Sequence, residues 1–286
     1  MKTVGVDIGG TNVRAILFDG KRILKKCSNR IEAKKGRKQV LRNIIKTIDA
    51  VITKDTRTIG MSTAGVIVDG RYLFSPNVPL ANFNLKRFLE KKYKKKIVVE
   101  NDANAFAWGE YLRGIGRKSR IMIGLIVGTG IGSGIIANNK IYEGTTGSAG
   151  EIGHTVIDRN GPTCSCGKKG HVEAFCSGPG IERRYQKKTG NYRFVKDIFD
   201  AKDTTSKMIV EETYELLAVG LANAVNILNP DMIILGGGVS NSLQPKRLLK
   251  KIKKYAIPGS TTKLKVVKSR LGNDAGCIGA ALLPKK

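Results

Sequence analysis

The sequence predicts an α/β protein of two lobes with related topology, and three observations support this prediction. A strand pattern over residues 4–8 leads into a glycine turn and a second strand over 15–18. The same order of strand, glycine-rich turn and strand recurs about 120 residues later, over 121–137. Apolar residues repeat at helical spacing over 40–52, and strands that alternate with such helices are typical of α/β lobes.

A long helix and a buried strand are predicted in the second half of the chain. The helix covers residues 208–228 and ends at Asn229-Pro230, after which the strand 232–235 leads into three glycines. No low-complexity linker divides the chain, so we expect two lobes that pack around a cleft. The predicted domains are a small N-terminal lobe of residues 1–114 with the C-terminal helix 275–286, and a larger lobe of residues 115–274.

Composition limits the classes of protein that the chain can represent. Of its 286 residues, 41% are hydrophobic and 26% are charged, which are ordinary globular values that argue against bulk disorder. The chain has no run of 18 apolar residues and no secretory-signal pattern at its N-terminus. We therefore expect a cytoplasmic protein with no membrane partner, whose five cysteines are metal ligands or packing residues rather than disulfides.

The net charge of +28 invites interpretation as a nucleic-acid-binding protein. Residues 1–116 hold 24 basic and 10 acidic residues, and residues 117–286 hold 27 and 13, so each half carries +14. An excess spread so evenly is typical of a basic surface rather than of a nucleic-acid-binding tail. We expect no specific nucleic-acid partner.

The first glycine turn reads Asp7-Ile8-Gly9-Gly10-Thr11. Glycines let the backbone approach a ligand closely and aim its N–H groups at anionic oxygens, and Thr11 adds a hydroxyl donor. Asp7 at the strand end could hold Mg²⁺ beside bound phosphates. A plain hairpin turn would carry the same residues, so the turn alone does not decide between the two interpretations.

The second turn, residues 128–134, has glycine at four alternate positions, which is more than a tight hairpin needs. Its sequence lacks the lysine of a P-loop and the spacing of a dinucleotide-binding motif, so both of those nucleotide-binding folds are disfavoured. Two glycine-rich hairpins, one from each lobe, could instead hold one polyphosphate between them.

The two histidines of the chain, His154 and His171, flank Cys164 and Cys166. Four donors of these types within 18 positions suit a tetrahedral Zn²⁺, and four protein ligands would make the site structural. The alternative is a buried histidine with two small core cysteines. Cys176 lies near enough in the sequence to replace one of the ligands.

Asn101 and Asp102 lie between a strand predicted to end at Glu100 and an alanine-rich helix predicted from Ala103. Asp102 is therefore at or beside the N-cap, and capping alone would explain an aspartate there. The carboxyl end of a strand in an α/β lobe is also where ligands bind, and a carboxylate there can accept a proton from a substrate hydroxyl. Both interpretations stay open on position alone.

Taken together, these residues resemble the ROK family of sugar kinases, repressors and related proteins, within the wider actin/hexokinase-like (ribonuclease H-like) fold. The resemblance runs essentially from end to end and implies a two-lobed α/β fold with an interlobe cleft. Its motifs are Asp7-Ile8-Gly9-Gly10-Thr11, Ser75-Pro76-Asn77, Glu100-Asn101-Asp102-Ala103-Asn104-Ala105, residues 128–134, Gly150-Glu151-Ile152-Gly153-His154, Cys164-Ser165-Cys166-Gly167, Glu173 and Gly236-Gly237-Gly238.

The resemblance implies a role for each matched position. Asp102 corresponds to the general base that activates the primary hydroxyl of the sugar, and His154 to a zinc ligand that also touches the sugar. Sugar contacts are implied for Gly65, Asn77, Asn101, Asp102, Glu151, His154 and Glu173. Contacts to ATP are implied for Asp7, Gly9, Gly10, Thr11, Gly128, Thr129, Gly130, Gly236, Gly237 and Gly238. The implied zinc ligands are His154, Cys164, Cys166 and His171.

The sequence departs from the family pattern at one position. The third cysteine that usually follows C-x-C-G-x-x-G is His171 here, and histidine is also a zinc-binding donor. The repressor branch of the family carries an N-terminal helix-turn-helix. This sequence starts at the first phosphate strand, so we expect no DNA-reading module.

We therefore expect an enzyme that uses MgATP to phosphorylate a hexose on its primary hydroxyl, a glucokinase or a broad hexokinase. Zn²⁺ would be structural, and analogy with family members suggests a homodimer or homotetramer. A kinase for N-acetylmannosamine, N-acetylglucosamine or fructose stays open, because one sequence does not give the volume of the sugar pocket. Two other classes stay open: a non-catalytic sugar-sensing protein, and a nucleic-acid binder built on a kinase scaffold.

Overall fold

The computed structural model describes residues 2–68, 70–74 and 78–285, and it has the α/β architecture that the sequence predicts. The chain divides into two units. The first comprises Met1–Arg117, Asn139–Ala149 and Arg270–Lys286, and the second comprises Lys118–Asn138 and Gly150–Ser269. The sequence-based division into residues 1–114 with 275–286 and residues 115–274 stays a prediction.

The first unit is built on a mixed β-sheet. Its elements up to residue 112 are β1 (Lys2–Ile8), β2 (Asn12–Phe18), β3 (Ile23–Arg30), α1 (Arg37–Asp49), β4 (Thr56–Thr63), β5 (Val66–Val68), β6 (Arg71–Phe74), α2 (Leu85–Tyr93), β7 (Lys96–Asn101) and α3 (Asp102–Leu112). The sheet order is β3-β2-β1-β4-β7, with β1 antiparallel to β2 and parallel to β4, and β4 parallel to β7. The carboxyl ends of β1, β4 and β7 therefore lie at one edge of the sheet.

The second unit repeats this strand pattern. Its chain order is β8 (Ile121–Val127), β9 (Ile131–Ala137), α4 (Val172–Cys176), α5 (Gly178–Thr189), α6 (Val195–Asp200), α7 (Thr204–Leu228), β11 (Met232–Gly236), α8 (Pro245–Tyr255) and β12 (Lys265–Lys268). The short strand β10 (Lys140–Ile141), which follows β9 in the chain, belongs to the first unit. The strands run β9-β8-β11-β12, with β8 antiparallel to β9 and parallel to β11, and β11 parallel to β12. The two glycine turns thus occupy equivalent positions, as the repeated sequence pattern predicts. The last helix, α9 (Ala275–Leu282), returns to the first unit.

The helix predicted over residues 40–52 is α1, and its apolar stripe is buried as expected. Val40, Ile44 and Ile48 have no exposed surface. The helix ends at Asp49, earlier than the stripe, and Val51 is buried from the segment that follows it. The apolar pattern therefore marks the buried face correctly but extends past the helix end.

The helix predicted over residues 208–228 is α7, which begins four residues earlier. Asp203 precedes it, and its side chain accepts a hydrogen bond of 2.8 Å from Ser206 N, the pattern of an N-cap. Asn229 ends the helix in a left-handed conformation, with φ 47°. The C-terminal boundary agrees with the prediction, whereas the N-terminal boundary is set by a cap that the apolar pattern does not reveal.

Each unit has its own hydrophobic core. In the first unit the core lies around the sheet and α1, and in the second unit it lies between the sheet and α7. Among the helices of the described residues, none combines the length and the hydropathy that crossing a bilayer requires.

Ion pairs between α7 and α8 neutralise part of the positive charge of α8. Arg247 and Lys251 both contact the carboxylate of Glu211, and Lys251 also lies 2.6 Å from Glu215. Lys254 lies 3.4 Å from Glu215. Part of the basic segment 246–254 is therefore engaged in a contact between two helices.

Small residues let α9 pack backbone to backbone within the first unit. A Cβ atom at Gly279 would lie 1.8 Å from the carbonyl oxygen of Ala105 in α3, and one at Gly60 in β4 would lie 1.7 Å from the carbonyl oxygen of Ala280. No side chain fits at either position without a shift of the backbone. The C-terminal helix is thus held by contacts that only glycine permits.

We predict that Gly279→Ala lowers the free energy of unfolding by about 2–3 kcal/mol, because overpacking a close backbone contact costs about this much. Denaturant unfolding followed by circular dichroism measures the change. Gly259→Ala is the matched control, since a Cβ atom there has no heavy atom within 4 Å. Equal stabilities of the Gly279→Ala and Gly259→Ala variants would contradict the backbone packing of α9.

Candidate functional site

Polar residues of the first unit gather where its parallel strands end. Ser62 Oγ in β4 donates a hydrogen bond of 2.8 Å to Asp7 Oδ1 near the end of β1. Thr63, which ends β4, lies in register with Asn101, which ends β7. Burial raises the pKa of Asp7, while the bond from Ser62 and the positive charge of Arg14 oppose the rise. Such an edge is where α/β lobes bind ligands.

The first glycine turn follows β1 at this edge. Gly9 N donates a hydrogen bond of 2.9 Å to Asn12 O, and Ile31 N donates one of 2.9 Å to Thr11 O. Gly10 and Thr11 are nevertheless exposed. The turn is held in one conformation while its residues stay accessible, as a phosphate-binding loop requires.

Asn101, rather than Asp102, caps α3. Asn101 Oδ1 accepts hydrogen bonds from Ala103 N at 2.9 Å and from Asn104 N at 3.2 Å. Asp102 is the first residue of the helix and is half-buried, and its Oδ1 accepts a hydrogen bond of 2.9 Å from Ala103 N. Because Asn101 supplies the cap, capping by itself does not account for a carboxylate at position 102.

The segment after β4 lies close to these two residues. Gly65 has a φ of 115°, which favours glycine, and its carbonyl oxygen lies 3.5 Å from Asn101 Nδ2. The buried Tyr72 donates a hydrogen bond of 2.8 Å to Thr63 Oγ1. Burial raises the pKa of Tyr72, the bond to Thr63 opposes the rise, and the negative charge of Asp102 adds to it. The structure therefore brings Gly65 together with Asn101 and Asp102.

A cavity of about 270 Å³ adjoins this group. It is lined by residues 96–101 of β7 together with Gly65, Lys86 and Glu143. Asn77, the other sugar contact implied for this part of the chain, lies outside the described residues, as do Ser75 and Pro76.

The second glycine turn lies at the equivalent edge of the second unit. Gly128 N donates a hydrogen bond of 2.9 Å to Gly130 O, and Gly178 N, at the start of α5, donates one of 2.8 Å to Gly128 O. Gly237 has a φ of 89°, and a Cβ atom there would lie 2.5 Å from Val127 O. Glycine at position 237 therefore lets the segment after β11 lie against the end of β8.

The predicted nucleotide contacts of the second unit meet at this edge. Thr129 is exposed in the turn between β8 and β9. Gly236 is the buried last residue of β11, and Gly238 is exposed, with no heavy atom within 4 Å of where a Cβ atom would lie. The structure brings both glycine segments together, although they are separated by more than 100 residues of sequence.

The four predicted zinc ligands form a cluster in the second unit. Ligand atoms of His154, Cys164, Cys166 and His171 all lie within 4.8 Å of one another. Cys164 Sγ is 3.6 Å from His154 Nδ1, and Cys166 Sγ is 3.3 Å from His171 Nδ1. Donors around a tetrahedral zinc ion lie roughly 3.3–3.8 Å apart, given bonds of about 2.0–2.3 Å. The donor set therefore fits zinc, whereas Cys176 is buried elsewhere and contacts a carbonyl oxygen of α7.

The loop that carries the cluster, residues 154–171, is named here the knuckle. Cys164 N donates a hydrogen bond of 2.7 Å to Lys168 O, and Gly167 N donates one of 2.9 Å to Cys164 O. Gly170 has a φ of 76°, and a Cβ atom there would lie 1.7 Å from Asp158 O. These contacts fix the backbone between the ligands, so the loop is ordered around the cluster.

The surroundings of the cluster favour the metal-binding form of His171 but not that of Cys164. Burial raises the pKa of Cys164 to about 11, and the nearby carboxylate of Glu173 contributes to the rise. Burial and the charge of His154 lower the pKa of His171, which favours the neutral imidazole that binds metals. Cys164 requires the positive charge of an ion to exist as the thiolate near neutral pH.

Glu173, predicted as a sugar contact, is a buried residue of α4 whose two carboxylate oxygens contact protein groups. Its Oε1 accepts a hydrogen bond of 2.6 Å from Ser165 Oγ and lies 3.3 Å from Cys164 Sγ. Its Oε2 accepts one of 2.9 Å from Ile131 N, and a Cβ atom at Gly130 would lie 2.7 Å from it. The side chain therefore connects the knuckle with the second glycine turn.

Glu151 and His154 lie on a short turn of helix at the start of the knuckle. Glu151 Oε2 is 3.9 Å from His154 Nε2. Partial desolvation raises the pKa of Glu151, His154 lowers it, and the charge of Glu173 raises it further. A Cβ atom at Gly153 would lie 2.1 Å from Ile131 O, so this turn packs closely against the start of β9.

Three residues of these groups were not anticipated from the sequence: Ser62, Tyr72 and Ser165. In each case the side-chain hydroxyl donates a hydrogen bond: Ser62 to Asp7, Tyr72 to Thr63 and Ser165 to Glu173. Ser165 lies inside the C-x-C motif, and this position was the one available signal. The other two have none, because Ser62 meets Asp7 through the pairing of β4 with β1 and Tyr72 meets Thr63 only through the tertiary fold.

Comparison with known proteins identifies relatives that match nearly the whole chain. A glucokinase from Thermotoga maritima is 35% identical over 311 residues, covering 100% of this chain and 98% of its own. The crystal structure of a ROK-family glucokinase from Streptomyces griseus, in complex with glucose and AMPPNP, superposes with a TM-score of 0.86 at 31% identity, covering 99% of both chains. A xylose repressor from Bacillus spizizenii is 29% identical and matches 97% of this chain but 75% of its own length.

The family model for the ROK family matches residues 3–286. The match spans both units, both glycine turns and the knuckle. Together with relatives at 31% identity or more over nearly their whole length, it shows the family. The chain belongs to the ROK family.

Proposed function

We propose that this chain is an ATP-dependent sugar kinase that phosphorylates glucose on its primary hydroxyl to give glucose 6-phosphate. The observation that carries the proposal is the position of Asp102. It stands first in α3 at the carboxyl edge of the sheet, while the neighbouring Asn101 supplies the helix cap. Glucokinases of 35% and 31% identity over nearly the whole chain support the choice of reaction and sugar.

Asp102 acts in this proposal as the general base. As the sugar O6 attacks the γ-phosphorus of ATP, its proton passes to the carboxylate of Asp102, and ADP leaves with the electron pair of the broken bond. Asn101 and Gly65, which lie beside it, are the proposed sugar contacts of the first unit, with Asn77 outside the described residues.

The two glycine turns are the proposed phosphate-binding loops. The exposed Thr11 and Thr129 offer hydroxyl donors, and the backbone N–H groups of Gly10 and Gly130 offer further ones. Asp7 would hold Mg²⁺, which supplies positive charge to the transferring phosphoryl group. Gly9 and Gly128 complete the turns, and residues 236–238 are proposed to adjoin the adenosine.

The knuckle is proposed to hold one structural zinc ion through His154, Cys164, Cys166 and His171. An ion with four protein ligands cross-links the loop and supplies no open position for substrate. Its role is to fix the segment that carries Glu151 and His154, the proposed sugar contacts of the second unit. Glu173, whose carboxylate is engaged with protein groups, is the remaining predicted sugar contact.

Other substrates and one other class remain as alternatives. The same base and phosphate loops would also suit an N-acetylhexosamine or fructose as the substrate. An N-acetyl-D-glucosamine kinase from Pasteurella multocida is 30% identical to this chain. The similarity to a xylose repressor favours a non-catalytic sugar-sensing protein as the second candidate. A cytoplasmic location and a homodimer or homotetramer belong to the proposal as well. The paired charges of α7 and α8 argue against a specific nucleic-acid site.

A panel of sugars with MgATP tests the proposal directly. ADP release is followed with a coupled assay for glucose, mannose, fructose, N-acetylmannosamine and N-acetylglucosamine. The proposal expects the highest kcat/KM with glucose. Binding of sugar without ADP release from any member of the panel would favour the sugar-sensing alternative.

We predict that Asp102→Asn lowers kcat by about 10²–10⁴, the usual contribution of a general base. The amide has nearly the shape of the carboxylate but accepts no proton, so sugar binding measured by calorimetry should persist. Asp49→Asn is the control for a change of one charge, since Asp49 is an exposed residue of α1. Near-normal turnover in the Asp102→Asn variant would rule out Asp102 as the base.

We predict one zinc ion per chain by elemental analysis, and its loss in His171→Ala together with a melting temperature lower by about 5 °C or more. His171→Cys is the matched control, because it exchanges one zinc-binding donor for another and should keep the metal. Unchanged zinc content and melting temperature in His171→Ala would show that the cluster is not a four-ligand site.

A further inference from the structure

The carboxylate of Asp7 is enclosed on two sides, by a hydroxyl group of β4 and by the backbone of α9. Asp7 and Ser62 are paired in register, so their side chains extend from the same face of the sheet. Gly5 and Gly60 are paired two residues earlier on that face, and α9 lies against them, because a Cβ atom at Gly5 would be 2.0 Å from Cys277 O. Asp7 and Ser62 therefore follow along the sheet, beside the start of α9.

The hydroxyl group belongs to Ser62, which has no exposed surface. Its Oγ lies 2.8 Å from Asp7 Oδ1 and 3.3 Å from the carbonyl oxygen of Val6. A hydroxyl has one proton, and a hydrogen bond to a carboxylate is stronger than one to a neutral carbonyl group, so the proton is donated to Asp7. One carboxylate oxygen is thereby engaged, and the orientation of the carboxylate is restricted.

The backbone of α9 closes the second side at Gly276. A Cβ atom there would lie 3.1 Å from Asp7 Cγ, 3.2 Å from Oδ1 and 3.3 Å from Oδ2. These distances are shorter than ordinary van der Waals contacts, so a methyl group at position 276 would displace the carboxylate by a few tenths of an ångström. Glycine at this position therefore leaves the carboxylate where Ser62 holds it.

The second oxygen of Asp7 remains for another partner. Arg14 lies opposite Asp7 in β2, and its charge acts on the carboxylate, but its Nη1 donates a hydrogen bond of 3.2 Å to Asn273 O. Within residues 2–68, 70–74 and 78–285, Ser62 is the only residue whose side chain donates a hydrogen bond to Asp7. A carboxylate oxygen is the type of ligand that Mg²⁺ prefers, so the arrangement fits this ion at Oδ2.

We propose that Ser62 is a positioning residue for the metal ion of the nucleotide, because its hydroxyl, with the backbone of Gly276, holds the carboxylate of Asp7 in the orientation that Mg²⁺ requires. The proposal rests on the proposed function, in which Asp7 holds Mg²⁺ beside the phosphates of ATP. Groups that orient a metal ligand without touching the metal commonly contribute about 10–100-fold to metal affinity. Ser62 acts in this way from β4, through a side chain that contacts neither sugar nor phosphate in the proposed function.

The alternative is a purely structural role, in which Ser62 joins β4 to β1. Loss of the hydroxyl would then lower the stability of the sheet and would change the affinity for nucleotide equally with and without metal. In a positioning role, the affinity changes only in the presence of Mg²⁺. The effect must also disappear in a chain whose residue 7 no longer serves the metal.

The experiment compares the wild-type chain with Ser62→Ala, Gly276→Ala, Asp7→Asn and the double variant of Asp7→Asn and Ser62→Ala. Ser62→Ala removes the donor, whereas Gly276→Ala crowds the carboxylate and leaves the donor in place. Thr47→Val is the matched control, because Thr47 is a fully buried residue of the same unit whose hydroxyl donates a hydrogen bond of 2.7 Å to Asn43 O. The Kd for ADP is measured by calorimetry in excess Mg²⁺ and in EDTA, and the melting temperature is measured for each variant.

We expect Ser62→Ala to raise the Kd for MgADP about tenfold, the lower end of the usual effect of a group that orients a metal ligand. Gly276→Ala should raise it about threefold, because Mg²⁺ tolerates little departure from its ideal geometry. The Kd for ADP in EDTA should stay within about twofold of the wild-type value in both variants and in Thr47→Val. In the Asp7→Asn chain, Ser62→Ala should add less than about twofold, since the two residues act as one unit.

Four results would overturn the positioning role while the proposed function stands: a wild-type affinity for ADP that does not depend on Mg²⁺, an unchanged Kd for MgADP in Ser62→Ala, an equal rise with and without metal, or the full effect of Ser62→Ala in the Asp7→Asn chain. If Ser62→Ala does not fold, Gly276→Ala decides, and a wild-type Kd for MgADP in that variant would overturn the role. A wild-type chain that neither binds ADP nor phosphorylates any sugar of the panel would overturn the proposed function and this role together.

Discussion

A buried carboxylate, that of Glu173, is the interaction on which the functional end of the second unit depends. It receives a backbone N–H group from the start of β9 and a hydroxyl group from the middle of the knuckle. Removing a carboxylate from water is costly, and these donors offset the cost only when both segments are in place. The order of the glycine turn and the order of the metal-binding loop are therefore linked through one side chain.

The repeated strand pattern explains why the candidate residues come together in each unit. In both units a hairpin is followed by parallel strands, so the carboxyl ends of three strands share one edge. Residues that are distant in sequence, such as Asp7 and Asn101, lie at the same edge for this reason. Each of these edges carries a glycine turn. Asp102 also lies at the edge of the first unit's sheet, and the glycine segment after β11 also lies at the edge of the second unit's sheet. One topology used twice thus provides two phosphate-sized turns.

Local sequence signals predict those parts of the structure that local physics determines. Both hairpins, the C-terminal end of α7 and the clustering of two histidines with two cysteines all follow from periodicity, turn residues and spacing. The sequence could not distinguish a capping role for Asp102 from a functional one, because the choice depends on which side chain, Asn101 or Asp102, accepts the helix N–H groups. The two bonds of Glu173 were likewise beyond prediction, since they join segments that only the tertiary fold brings together. The net charge of +28 proved less informative than the position of two histidines.

Transfer of phosphate to the primary hydroxyl of glucose is the central claim, and the structure of the product tests it most directly. Wild-type enzyme is incubated with glucose and MgATP, and the product is analysed by phosphorus NMR with proton coupling. If a base at the edge of the first sheet activates O6, the product is a phosphate monoester on a CH₂ group. Its phosphorus signal is then split by the two protons of that CH₂ group, and ADP is formed in equal amount. A monoester on the anomeric carbon, or inorganic phosphate alone, would contradict the claim.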